Sequence, residues 1–283
     1  MRVRSQKLEV RSEWRKWFYL LPCYLFTFLP FYLSTCLYAQ TFSGELGEVK
    51  GTVKILTEGE SVWVPVVEEM PVQLKDRLKA AENSSCNLEL DDGSIIFIGE
   101  NTEASVEMLE LTSEKHNSKI SLWFGKIIAN ISKLKDTKME VHSPTAIVAV
   151  RGTEFAVDTS TTDEKTDVGV FDGEVSVKNA EESIGEEVTV KPDEETTVPK
   201  GIRPSSPSRL LLMQKYKERN ACIRDRVADL RERLKRVPPE KRAKARRITY
   251  EKFQKLREKR IEQIKKNQQK RKTITRETIK REK

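Results

Sequence analysis

Between residues 42 and 200 the apolar residues come in short runs broken by Gly, Asp-Gly and Pro. Residues 49–56 (VKGTVKIL) and 62–67 (VWVPVV) open the series, and 88–90, 95–98, 120–124, 127–131, 147–150, 155–157, 188–190 and 196–198 continue it. Val, Ile and aromatic side chains dominate, so each run predicts a strand. Pro65 falls inside the second run and removes a ladder donor, which places that strand at an edge or a bulge. Asp91-Asp92-Gly93-Ser94, between two of the runs, predicts a hairpin, and Gly125 parts another two. Roughly a dozen strands in about 150 residues can bury a full core, and their turn signals keep no fixed period. The expected fold is mainly β: an antiparallel roll or sandwich, or an irregular β-solenoid, followed by a helical tail.

The most specific stretch is 143–177, SPTAIVAVRGTEFAVDTSTTDEKTDVGVFDGEVSV. Runs 147–150 and 155–157 flank Gly152, while Val168, Val170, Val175 and Val177 alternate with other residues around Asp172-Gly173. Glycine supplies the backbone freedom of a tight turn, and Asp-Gly is a favoured two-residue hairpin dipeptide. The stretch therefore predicts two successive β-hairpins. Arg151, Gly152 and Thr153 read first as a turn whose arginine braces neighbouring carboxylates or carbonyls, and second as a partner contact.

Beyond residue 200 the pattern changes. Residues 201–208 (GIRPSSPS) have linker composition, and Ser208 suits an N-cap. Met213, Tyr216, Asn220, Ile223, Val227, Leu230 and Leu234 then follow at alternating steps of three and four. That is a heptad seam of about three repeats with one polar position. Val237-Pro238-Pro239 interrupts it, and a second helix with a thinner stripe (Ile248, Phe253, Leu256, Ile261, Ile264) is expected from about Pro239. The 209–283 tail is thus predicted as a helical hairpin or coiled coil, separable from a β-body at 42–200 that stays folded without it.

The first 39 residues differ again. Basic residues crowd 1–16, residues 17–38 carry no charge, and Ala39-Gln40 follows. This reads as a secretory signal cleaved between Ala39 and Gln40. Retained, residues 17–38 are long enough to anchor the chain in a bilayer, and Leu33-Ser34-Thr35-Cys36 faintly resembles a lipoprotein cleavage site. Each reading exports the rest of the chain to the periplasm or cell envelope.

Charge sharpens the division. The net +8 conceals 16 basic and 32 acidic groups over residues 40–200, against 30 basic and 10 acidic over 201–283. A basic amphipathic tail suggests nucleic acid, but aromatic interleaving is sparse and an exported chain rarely meets it. Anionic lipid or another envelope polyanion, the acidic body itself, or self-association are better partners for residues 209–283.

Candidate chemistry is thin. Cys23 and Cys36 lie in the leader, leaving Cys86 and Cys222, which make neither a disulfide framework nor a zinc spacing. His116 and His142 are isolated. The acid pairs at 68–69, 91–92, 181–182 and 186–187 alternate faces if on strands, so they read as solvated charge. Ser-His-Asp ordering, HExxH and a complete phosphate loop are lacking. No catalytic residue, metal or cofactor is expected.

Ser143-Pro144, the run Val150-Arg151-Gly152-Thr153-Glu154-Phe155-Ala156-Val157 and the run Phe171-Asp172-Gly173-Glu174-Val175-Ser176-Val177 resemble motifs of the FecR domain. Residues 88–98 and 122–128 resemble two of its upstream strands, and the likeness spans about residues 47–177. The resemblance implies a β-rich, extracytoplasmic bacterial module with a binding or scaffolding role. It marks Pro144, Arg151, Gly152, Thr153, Phe155, Asp172 and Gly173 as motif positions, structural or in partner contact. Family members that regulate iron uptake carry a sigma-factor-binding segment before one membrane helix. Only 16 residues precede the apolar stretch here, so that role is not expected to carry over. The expected function is a non-catalytic exported protein whose β-domain binds an envelope protein or glycan, with a basic docking tail. A membrane-anchored signalling component and a cell-wall enzyme are the alternatives.

Overall fold

Strands form where the apolar runs lie, and one of them, bent at a glycine, belongs to two layers. The structure, a computed structural model, describes residues 43–111 and 116–281; the expected leader, with Ala39 and Gln40, lies outside them. In chain order the strands are β1 (Gly44–Lys50), β2 (Val53–Leu56), β3 (Val64–Pro65), β4 (Arg77–Ala80), β5 (Ser85–Leu90), β6 (Ile95–Ile98), β7 (Thr102–Leu111) and β8 (His116–Asn130). Then come β9 (Thr137–His142), β10 (Ala146–Val150), β11 (Glu154–Ser160), β12 (Lys165–Asp172), β13 (Val175–Asn179), β14 (Glu187–Val190), β15 (Glu194–Pro199) and β16 (Ser208–Arg209). Helices α1 (Lys217–Arg236) and α2 (Pro239–Arg281) close the chain.

One layer runs β1-β5-β6-β8-β11-β12-β15-β16, the other β3-β2-β4-β7-β8-β9-β10-β13-β14. Strand β8 pairs in the second layer before Gly125 and in the first after it. Gly125 takes φ +92°, and a Cβ there would sit 2.5 Å from the Asn101 carbonyl oxygen, so the bend requires glycine. Between the layers one core gathers Leu88, Ile96, Phe155, Val157 and Val168 from the first and Ile55, Leu78, Leu122, Val141 and Val148 from the second. Pro65 does sit on an edge strand, paired only with β2.

Three expectations are corrected. The stretch 143–177 does not form two hairpins around its glycines: β10 pairs with β13 and β9, while β11 pairs with β12 and β8. Gly152 and Gly173 mark corners where the chain crosses between layers. The sheet is not wholly antiparallel either, because β9 lies parallel to the first half of β8. The second half of β8 is occupied by β6 and β11 in the other layer.

The third concerns the tail. Ser208 is in strand β16 rather than capping a helix, and the supposed linker is tied down, with Ser205 N–H donating to the Thr197 carbonyl at 2.9 Å. Among the described residues the heptad seam packs against no helix. Met213, Tyr216, Ile223, Val227 and Leu230, with Leu210, pack instead on Ile95, Phe97, Ile128 and Ala156 of the first layer. Strand β6 (IIFI) is consequently buried on both faces. The described residues form one compact unit.

Candidate functional site

The two crossing corners bring most of the motif positions together. Gly152 (φ +67°) and Gly173 (φ +83°) lie side by side, a Cβ on Gly173 falling 2.5 Å from the Thr153 methyl and one on Gly152 2.8 Å from Lys133 Cα. Thr153 is buried, and its hydroxyl has no hydrogen-bond partner among the described residues. Phe155 is wholly enclosed in the core. Asp172 pairs at the surface with Lys133 (2.6 Å), and that hydrogen bond holds its carboxyl below the usual range. Pro144 is exposed, between Ser143 and Thr145, whose hydroxyls both meet Thr166 Oγ1 at 2.7 Å. Arg151 does not brace its surroundings as expected. It faces solvent with no hydrogen bond or ion pair among the described residues.

The denser polar constellation lies on the outer surface of the first layer, where the tail arrives. Glu45 and Glu89 stand opposite one another on β1 and β5, a like-charge pair that destabilises a sheet by itself. Arginines from the tail supply the countercharge. Glu89, only 2% exposed, accepts from Arg226 Nε and Nη2 (3.0 and 2.9 Å) and from Arg233 Nη2 (2.6 Å). Glu45 accepts from Arg233 (2.9 Å) and Arg246 (2.9 Å). Asp91 accepts from Arg242 (3.1 Å) and Arg246 (2.7 Å). Burial opposes the charge of Arg246, but Asp91 and Glu45 together hold its guanidinium above the ordinary range.

Farther along α1, Glu154 takes both forks of Arg224 (3.1 and 2.6 Å) and the Asn220 amide (2.7 Å). The polar position in the heptad thus finds its partner on the sheet. Tyr216 donates its hydroxyl to Asp158. Glu195 on β15 caps the start of the helical segment, accepting from the backbone N–H groups of Leu211, Leu212 and Met213 (3.1, 3.1 and 2.9 Å). Orphan donors at a helix start and a carboxylate are natural partners.

Sequence reasoning missed these carboxylates. Glu45 and Glu154 lie outside the apolar runs, and the all-apolar run at 95–98 is the one signal that this face needs a cover. The remaining candidates stay apart. His142 Nε2 lies 2.9 Å from Glu140; with Lys138, the larger influence, it draws that carboxyl down to about 2. Cys86 is buried, its thiol pushed up to about 12 by burial, and Cys222 is exposed; both are free. Among the described residues no three His, Cys, Asp or Glu side chains group as a metal site, and no helix is long and apolar enough to cross a membrane.

The corner geometry and its flanking strands coincide with a known family: residues 76–176 match the family model described as FecR protein. The chain carries a FecR domain. The match begins beside β4 and ends in β13. Glu89, Asp91 and Glu154 therefore belong to the FecR domain, whereas Glu45 and the whole tail lie outside the matched residues. Two crystal structures, at 1.65 and 2.50 Å, of a candidate anti-sigma factor from Parabacteroides distasonis ATCC 8503 align with TM-scores of 0.40 and 0.41 at 20% identity. Each alignment covers 48% of this chain and 61% of the other, less than two thirds of that protein's length. No curated protein matches the sequence.

Proposed function

We propose that this chain is an exported, non-catalytic envelope protein whose FecR domain binds a protein or glycan partner and acts as a scaffold in envelope signalling. The observation that supports this most is the unequal treatment of the two layers. The tail occupies the outer face of the first layer, bracing it with buried apolar side chains and arginine–carboxylate pairs. The outer face of the second layer keeps an exposed tryptophan and exposed charges. Carboxylates that a hydrolase would direct into a cleft are tied to arginines here. In this reading the basic tail serves its own acidic body first, and the outward basic residues of α2 are left for anionic lipid or another envelope polyanion. Arg151 and Pro144, both facing solvent, are the motif positions proposed for partner contact.

Cross-linking of the full chain in isolated envelopes tests the reading. The expected result is one reproducible partner whose capture falls when Arg151 is replaced by Ala. Turnover in a cell-wall polymer screen, abolished by Glu154→Gln, would overturn it. N-terminal sequencing of the mature protein separates release from anchoring: a chain starting at Gln40 supports release, and an intact Met1 the anchored alternative.

A further inference from the structure

The exposed face of the second layer carries a group that the tail does not use. Arg77 and Lys79 on β4 point to the same face. Arg77 lies over the rings of Trp63 (5.8 Å) and Trp123 (5.2 Å), and Lys79 over those of Trp63 (5.8 Å) and Phe124 (5.6 Å). Rings and cations thus alternate across the sheet, from the segment before β3 to β8. Lys54 on β2 stands directly opposite Lys79, a like-charge cross-strand pair that costs stability. One carboxylate answers two of these three cations: Glu103 accepts from Arg77 and, at 3.1 Å, from Lys79. Lys54 has no ion pair among the described residues. Trp123 remains 49% exposed.

A ladder that only stiffened the sheet would account for the stacked cations. It would explain neither a half-exposed tryptophan nor a third cation placed against another without countercharge. An anionic ligand supplies the missing charge, and the half-exposed Trp123 calls for a flat, weakly polar surface beside the charges. Each unit of an acidic glycan offers both, a C–H-lined ring face and a carboxylate, whereas an acidic peptide offers carboxylates alone. We propose that the face formed by Trp63, Trp123, Phe124, Arg77, Lys79 and Lys54 binds a linear glycan of acidic sugars. This rests on the binding-module reading and narrows the partner to one chemistry.

The chain's four tryptophans are Trp14, Trp17, Trp63 and Trp123. In the full chain carrying Trp14→Phe and Trp17→Phe, emission therefore arises from the proposed face alone. At physiological salt, oligogalacturonate is expected to change that emission saturably, and neutral dextran to leave it unchanged. Trp123→Leu, followed through Trp63, and Lys54→Met, at an exposed position, should each weaken binding about tenfold. Lys259→Met on the tail should have no effect. No saturable response, an equal response to poly-L-glutamate, or unchanged affinity in both face variants would overturn the assignment. If oligogalacturonate fails while envelope capture succeeds, the glycan falls and the binding reading stands; failure of both removes the binding reading.

Discussion

Ile223→Ala asks whether the tail is part of the fold. Ile223 is 3% exposed and sits in the cluster with Ile95, Phe97 and Ile128 of the first layer. Truncating such a side chain against a sheet that cannot collapse onto the gap costs about 2–5 kcal/mol. Taking about 3 kcal/mol, and about 2–4 °C per kcal/mol for a unit of this size, the melting temperature should fall by roughly 6–12 °C. Two probes decide what is melting. Far-UV ellipticity reports the helices, and Trp63 and Trp123 report the second layer, on the far side of the core from α1. With the leader tryptophans replaced by Phe, both signals should move together by the same amount, as one cooperative unit demands. A helical signal that shifts while the tryptophan midpoint stays put would refute the docking of the tail on the first layer and restore a separable tail.

Glu89→Ala removes the carboxylate shared by Arg226 and Arg233, whose side chains are 35% and 44% exposed and can turn to water. The loss should be about 1–3 kcal/mol, below that of breaking a fully buried pair, and a double-mutant cycle with Arg226→Ala in urea should return a coupling of about 0.5–3 kcal/mol; zero coupling would count against the clamp. Burial pushes the Asp76 carboxyl up to about 6 from an ordinary value of 3.8. The folded state therefore favours its proton, so this contribution, about 2–3 kcal/mol, is full below the unfolded value and lost as pH rises through about 6; Asp76→Asn should flatten that part of the stability–pH curve. Gly152→Ala, forced into φ +67° beside Lys133 Cα, should cost about 1–3 kcal/mol in urea unfolding, and a gain would show that the corner relaxes. With Cys23 and Cys36 replaced by Ser, a thiol reagent should label Cys222 in the native protein and Cys86 only after unfolding.

The strands were legible because each run is short, β-branched and bounded by turn formers, and Pro65 correctly marked an edge. What the local pattern could not contain was direction. Gly152 and Gly173 announce positive φ, and both have it, but the same signal serves an in-plane hairpin or a crossing to the other layer. That choice is made by the distant pairing of β10 with β13 and of β11 with β8. The heptad seam was equally ambiguous. Ile223, Val227 and Leu230 require an apolar surface, and a sheet satisfies them as well as a second helix does. Ile95-Ile96-Phe97-Ile98 held the clue, since a strand apolar at every position is buried on both faces. Glu89 and Glu154 were invisible as a site because their arginines come from a region whose composition suggested independence. Trp63 and Trp123 were visible as residues, but the cations stacked on them are assembled by strand pairing.

The clamp between Glu45 and Arg246 joins groups 201 residues apart. At about 5–20 residues per second of synthesis, the arginine is made roughly 10–40 s after its partner. For most of that interval Ile95, Phe97 and Ile128 lack Ile223, Val227 and Leu230 to rest against, and Glu45 and Glu89 face each other without their arginines. Covering them should come late in folding, since such long-range contacts close slowly. A chain that stops short of α1 would therefore be a sticky, acidic ribbon, dependent on whatever shelters it until its own end is delivered.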